Sequence, residues 1–334
     1  MSVSADLLRL GIVREATPGV LPVNPAFQLL RVTSESLAYQ PQTQQSNELN
    51  PARQVVDVIV TGGQSGGDIP FEVSSNPGFE MLLEGVMCNT WAGNVLTVGG
   101  LLLTHGIEKR FTLDETAVDV TTRYDFHRLA RSIVDSMTLT FTPGGPGTGT
   151  ATILGGAYVR DNSEVAGATY ADAGRLPVMV GSGVLPITFM INGEEFTGWC
   201  LNNLVVNFRN NGRAIACLGQ DSASEVVLGK LECEITADIY LNAEARAVTD
   251  AFLNNEEIEF SFTVTDAENN SYEFEFTRVR VSASTTLATG TNQDVILNAT
   301  MQALVDTVGV APDEKQTCVT ITRTHTTSPW PQGA

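Results

Sequence analysis

The chain has 334 residues, 43% of them hydrophobic and 17% charged, with a formal net charge of −19 at pH 7. That is enough apolar material for one large core or two ordinary ones, and the frequent Thr, Val, Ser, Asn and Gly favour strands and turns over long exposed helices. The acidic balance excludes a grip on nucleic acid by phosphate neutralisation, which needs Lys and Arg, and suits a surface to which a polyanion must not adhere.

The opening MSVSADLLRLG lacks the basic-then-apolar order of a secretory signal, and the chain has no apolar run of about eighteen residues, so synthesis and folding in a cytoplasm are expected. Residues 1–26 read as an irregular arm, interrupted by Pro18, Pro22 and Pro25 and loosened by Gly11 and Gly19. Strand-like sequence begins at Phe27, residues 41–51 read as a loop, 55–60 as a strand and TGGQSGG as punctuation. A strand at 69–73 puts Ile69, Phe71 and Val73 on one face, with Pro70 confined to an edge or a strand start. Residues 77–91 read as a helix capped by Asn76, with Phe79, Leu82, Leu83, Val86 and Met87 as its apolar face. Strands are expected at 95–98, 101–111, 123–130 and 134–142, then a glycine-rich turn and a polar linker at 161–183. The second half reads as strands at 184–191, 196–208, 213–219 and 228–236, a helix at 242–254 capped by Asn242, and strands at 257–265, 271–284 and 294–304.

The halves resemble one another. GGDIPFEVS (66–74) aligns with LGKLECEIT (228–236), matching Glu72 with Glu234, and each segment runs into a helix. SLAYQ (36–40) aligns with VVNFR (205–209), and residues 135–154 with 279–297.

The segments GIVREATPGVLP (11–22), LLRVTSESLAYQPQTQQSNELNPARQVVDVIVTGGQSGGDIPFEVS (29–74) and the helix at 77–91 resemble tail tube proteins of long-tailed bacteriophages, the siphophages. The resemblance implies a mainly β, duplicated tail-tube fold, each unit two packed antiparallel sheets (a β-sandwich or barrel) with one flanking helix. The expected units are 27–160 and 184–322, with an arm at 1–26, the linker at 161–183 and a tail at 323–334. It implies rings that stack into a hollow tube through which phage DNA passes without tight binding, in the virion tail after assembly in the host cytoplasm. Two units per chain favour a homotrimer with pseudo-six-fold symmetry, and a single unit would demand a homohexamer. A tape measure protein and a tail terminator are the expected partners besides the chain itself, and no membrane or cofactor is expected. Glu72, Glu232 and Glu234 are expected to face the lumen. Glu257, Glu259, Glu273 and Glu275 fit outer solvent as well as the lumen. Arg14, Glu15, Pro18, Gly19, Gln42, Gln44, Gly144 and Gly147 are expected in contacts between rings or subunits.

Sharper motifs carry less. Gly63-Gln64-Ser65-Gly66-Gly67 matches the G-x-S-x-G nucleophile elbow in form, but that motif needs a following helix and here a strand follows, so a mobile glycine turn is expected. His105, His127 and His325 are scattered, and Gly144 to Thr150 has the glycines of a phosphate loop without its Lys. Cys88, Cys200, Cys217, Cys233 and Cys318 are odd in number and widely spaced, which fits idle thiols and neither a metal site nor a disulfide scaffold. Arg123, Arg128 and Arg131 fit either a contact with an acidic neighbouring subunit or a solvated face. A tail terminator, a decoration protein, a carbohydrate-binding adhesin and a hydrolase built on Ser65 are the alternatives to a tube subunit.

Overall fold

Alternation of apolar and polar residues along most of the chain builds strands buried on one face. The computed structural model describes all residues except 1–2, 175, 192–193, 196–199, 216, 219–222, 224, 243–244, 289, 307–316 and 326–334. In chain order come β1 (Arg9–Arg14), β2 (Ala26–Leu29), β3 (Ala38–Gln45), β4 (Val58–Glu72), helix α1 (Pro77–Met87), β5 (Val95–Thr97), β6 (His105–Thr112), the short helix α2 (Val120–Arg123), β7 (Tyr124–Phe141), β8 (Thr148–Gly155), β9 (Ala157–Asp161) and β10 (Thr169–Ala171). There follow β11 (Val184–Ile191), β12 (Glu194–Glu195), β13 (Leu201–Arg209), β14 (Arg213–Ile215), β15 (Glu225–Val227), β16 (Glu232–Tyr240), helix α3 (Arg246–Asn254), β17 (Ile258–Thr265), β18 (Ser271–Leu287), β19 (Ile296–Ala303) and β20 (Thr320–Thr324).

In the first half the strands pair antiparallel in the order β1–β6–β7–β8–β4–β3. In the second half they pair antiparallel as β11–β17–β18–β19–β16–β13. β13 then pairs with β7, from Leu204 opposite Phe141 to Arg209 opposite Ser136, and the two series become one strongly curled sheet. β7 and β18 are long because each serves two sets of neighbours. The first part of β7 lies between β6 and β9 and its second between β13 and β8. The first part of β18 lies between β17 and β20 and its second against β19. Each slips register where it leaves β6 or β17 and again at Asp135 in β7 and Ser282 in β18, and such bulges sharpen the twist where a strand changes sheets.

Helix α1 starts as its sequence dictates. Asn76 Oδ1 accepts the Phe79 N–H at 2.8 Å, Pro77 occupies the first turn, and Cys88 ends the helix in the left-handed region at φ 51°. Phe79, Leu82, Leu83, Val86 and Met87 are all buried. Each contributes about 1.5–3 kcal/mol of apolar burial. Leu83→Ala is therefore expected to cost about 2–5 kcal/mol, read as a lowered denaturant midpoint at unchanged slope. Asn242 Oδ1 accepts the Ala245 N–H at 2.7 Å just ahead of α3.

Several expectations change. The arm 1–26 is not wholly irregular: Arg9–Arg14 is strand β1, paired with β6 along its full length. Residues 41–45 of the expected loop belong to β3. TGGQSGG is no turn but the middle of β4, where Gly67 at φ 143° lies so close to Ser36 that a Cβ would sit 2.5 Å from its carbonyl oxygen. Pro70 falls where β3 has already ended, so its missing N–H meets a local edge. The strands expected at 123–130 and 134–142 are one strand, with Arg131 at φ 54° inside it. The linker carries β10, parallel to β2. The aligned segments 66–74 and 228–236 do not hold matching ladder positions, since Glu72 stands opposite Thr148 and Glu234 opposite Gln302. Residues 196–199 of one expected strand, 216 and 219 of another and 326–334 of the tail lie outside the described residues.

Candidate functional site

Residues directly opposed in an antiparallel ladder share a face, so the registers translate into rows across the curled sheet. One row runs Glu72, Thr148, Thr140, Val205, Thr236, Thr300. The next runs Pro70, Thr150, Thr138, Asn207, Glu234, Gln302, and a third Asp68, Thr152, Ser136, Arg209, Glu232. The interleaved residues on the other face, such as Phe71, Leu139, Val206, Ile235 and Met301, are buried. The sheet thus has an apolar face covered by the rest of the fold and a face of Thr, Asn, Gln and carboxylates. In these rows Asp68, Glu72, Glu232 and Glu234 outnumber the one base, Arg209.

That face is cross-linked by its own side chains. Thr152 Oγ1 donates to Asp68 at 2.8 Å, and Asn203 and Asn298 both donate to Asp238, at 3.3 and 2.6 Å. Asn207, Arg209, Glu232, Glu234 and Gln302 frame a shallow depression of about 40 Å³. The glutamates expected at the lumen, Glu72, Glu232 and Glu234, therefore lie on one face of one sheet and are exposed.

The residues expected in subunit contacts divide. Pro18, Gln42, Gln44 and Gly144 are exposed. Arg14 pairs with Glu84 of α1. Glu15 is buried and accepts the Arg131 N–H at 3.0 Å and the Gly19 N–H at 2.7 Å. Gly147 is buried, its N–H donated to Met179 O at 2.7 Å. Arg128 is held inside the chain by Glu108 and Asp161, and the Arg123 guanidinium lies over the Tyr124 ring at 5.1 Å. Arg131 Nη1 donates to Ala223 O at 3.4 Å. Glu257 is paired at 2.7 Å with both Arg278 and Arg280, while Glu259, Glu273 and Glu275 are exposed.

Two buried ionic clusters escaped the sequence reading. Glu80 on α1 meets Arg323, His325 Nε2 at 2.8 Å and the Tyr272 hydroxyl at 3.2 Å, which ties the helix of the first half to β18 and β20 of the second. Glu108 on β6 receives Arg128 at 2.8 Å, Arg9 at 3.2 Å and the Tyr170 hydroxyl at 2.7 Å. An acid amid apolar helix residues was the only hint of the first, because its partners are far away in sequence. His105 is buried, and its burial, with the Arg14 guanidinium adding to it, lowers its pKa to about 4.

Nothing here is arranged for catalysis at Ser65. The residue is fully buried within β4 and its Oγ donates to Ala157 O at 3.4 Å, far from the raised position of an elbow nucleophile. No group of His, Cys, Asp and Glu among the described residues could hold a metal ion. Burial pushes the Cys88 and Cys318 thiols up to about 11, and Cys200 and Cys217 are exposed. No helix among the described residues is long and apolar enough to cross a membrane.

A family model described as phage tail tube protein matches residues 6–303, nearly the whole chain and both strand series. The chain belongs to the phage tail tube protein family. No curated protein matches it. As a tail tube protein it is a structural, non-enzymatic component of the virion tail that assembles with itself into the tube. This decides for the tube subunit against a terminator, a decoration protein, an adhesin or a hydrolase.

Proposed function

We propose that the chain is a double tube subunit of a siphophage tail: three copies close into a pseudo-six-fold ring, and the polar face of the curled sheet lines a channel for DNA. Two tail-tube units, 27–160 completed by β1 from the arm and 184–322, account for the shared pairing order of the halves, for the helix that follows β4 and β16 alike, and for the matching bulges in β7 and β18. Within the chain the two units already join edge to edge through β7 and β13. Repeating that junction between copies closes the ring and satisfies edges that otherwise invite uncontrolled pairing.

The observation that carries the channel assignment is the sign and placement of charge. Carboxylates and neutral hydroxyl and amide groups cover the uncovered face, a composition that hydrates DNA without binding it. The tape measure protein inside the tube and the terminator at its end are the partners this role requires. Reversing Glu72, Glu232 and Glu234 to Lys is expected to leave tubes of normal diameter. Electron microscopy checks that the tubes form. Ejection from phage carrying the variant is expected to slow at least tenfold and to recover as salt is raised. Unchanged ejection kinetics would place these residues away from the channel.

A further inference from the structure

The junction inside the chain is a template for the junction between chains. Beyond Val279, β18 pairs with β19 on one side, and among the described residues no strand pairs on the side that β17 occupied. β7 uses the equivalent side, beyond β6, to receive β13. β3 likewise has one strand neighbour, β4, among the described residues.

Position can be counted outward from the two bulges. Asp135 in β7 corresponds to Ser282 in β18, so Thr138, opposite Thr150, corresponds to Thr285, opposite Asn298. Thr150 stands opposite Pro70, and Asn298 opposite Asp238, which matches β4 to β16. On that scale Gly66 corresponds to Glu234, and their partners Ala38 and Asn207 correspond in turn. Because Asn207 stands opposite Thr138 within the chain, Ala38 belongs opposite Thr285. Backbone direction agrees: the Ser36 N–H is donated to Asp68 O, inward to β4, which leaves the peptide groups of Tyr39 directed to the outer edge.

A second observation concerns apolar surface. Between β13 and β16 the chain forms the β14–β15 hairpin, which covers β7 and β8, and its Val226 is 1% exposed. The connection at the corresponding place in the first half is the tip of the β3–β4 hairpin, and there Val58, Ile59 and Val60 are 52%, 53% and 63% exposed. Three consecutive exposed β-branched residues lie on both faces of the strand, and among the described residues none covers them.

We infer that a second copy of this chain supplies β3 to the free half of β18, antiparallel, with Ala38 opposite Thr285, Tyr39 opposite Ser284 and Gln40 opposite Ala283, and that its β3–β4 hairpin lies over β18 and β19 of its neighbour. The ladder stops at Leu37, whose N–H is held by Glu35 at 2.8 Å and whose carbonyl accepts from Lys109. This inference rests on the ring reading and adds its register.

The test is cross-linking in the assembled full chain with Cys200 and Cys217 replaced by Ser. Ala38→Cys with Thr285→Cys places two exposed thiols at a non-hydrogen-bonded pair, where side chains are closest. Oxidation is expected to yield disulfide-linked dimers and trimers, at least tenfold more than Ala38→Cys paired with Ala283→Cys or with Leu287→Cys. Val58→Asp, at an exposed site, is expected to leave the melting temperature of the unassembled chain unchanged and to raise the concentration needed for assembly at least tenfold. Rings that cross-link better through a shifted pair, or that assemble normally with Val58→Asp, overturn the register or the hairpin placement and leave ring closure standing. Absence of rings from the unsubstituted protein overturns both.

Discussion

Glu80→Ala is expected to lower the stability of the chain by about 3 kcal/mol, because one change removes the carboxylate that half-buried Arg323, His325 and the buried Tyr272 hydroxyl all share. The loss comes mainly from leaving the buried Tyr272 hydroxyl and the His325 ring without this acceptor, since Arg323 keeps Gly93 O at 3.0 Å and the Trp91 ring. Urea unfolding of the unassembled chain measures it. Glu257→Ala serves as the control: its pairs with Arg278 and Arg280 sit on the surface, where ion pairs add little, and its midpoint should scarcely move. A Glu80 variant as stable as the Glu257 variant would show that α1 does not depend on its link to β18 and β20.

A second large effect is expected from acid. The folded pKa of His105, about 4, lies below its unfolded value near 6.5, so between these pH values the unfolded chain binds a proton that the folded chain refuses. The stability from keeping His105 neutral is therefore complete above pH 6.5 and is lost as pH falls toward 4, to a total of about 3 kcal/mol. His105→Gln removes this dependence. Melting temperatures of both proteins at pH 7 and pH 4.5 should show a distinctly smaller acid loss in the variant. Parallel losses would mean that His105 is protonated at no cost in the fold.

Much of the architecture was written in local pattern. Helix α1, its Asn76 cap and its buried face follow from a spacing of three and four, and β17 and β18 follow from strict alternation. What could not be read depended on neighbours. The glycines of β4 look like a turn until β3 and β8 are seen pressed against them, where no side chain fits. Arg9–Arg14 is held as a strand by β6, a partner far along the chain, and the prolines after it concealed this. The bend inside β7 left two apparent strands with a break at Arg131, although the chain stays paired through it. Similar letters around Glu72 and Glu234 do not mark equivalent ladder positions, since Glu72 stands opposite Thr148 and Glu234 opposite Gln302.

The same contrast holds for the surfaces. Acidic alternation in β16 was visible, but only the registers show that Glu72, Glu232 and Glu234 share a face with Asp68 across a junction of two halves. Arg14, Glu15 and Gly147 make contacts within the chain that their residue types alone do not reveal.

The central claim is that the uncovered polar face of the curled sheet becomes the wall of a channel when copies join edge to edge. Electron cryomicroscopy of the assembled tube tests it most directly. The account predicts three chains per ring, β18 of each paired with β3 of the next, and Glu72, Glu232 and Glu234 directed at the lumen. Six chains per ring, or a wall formed by another surface with these glutamates on the outside of the tube, would contradict it.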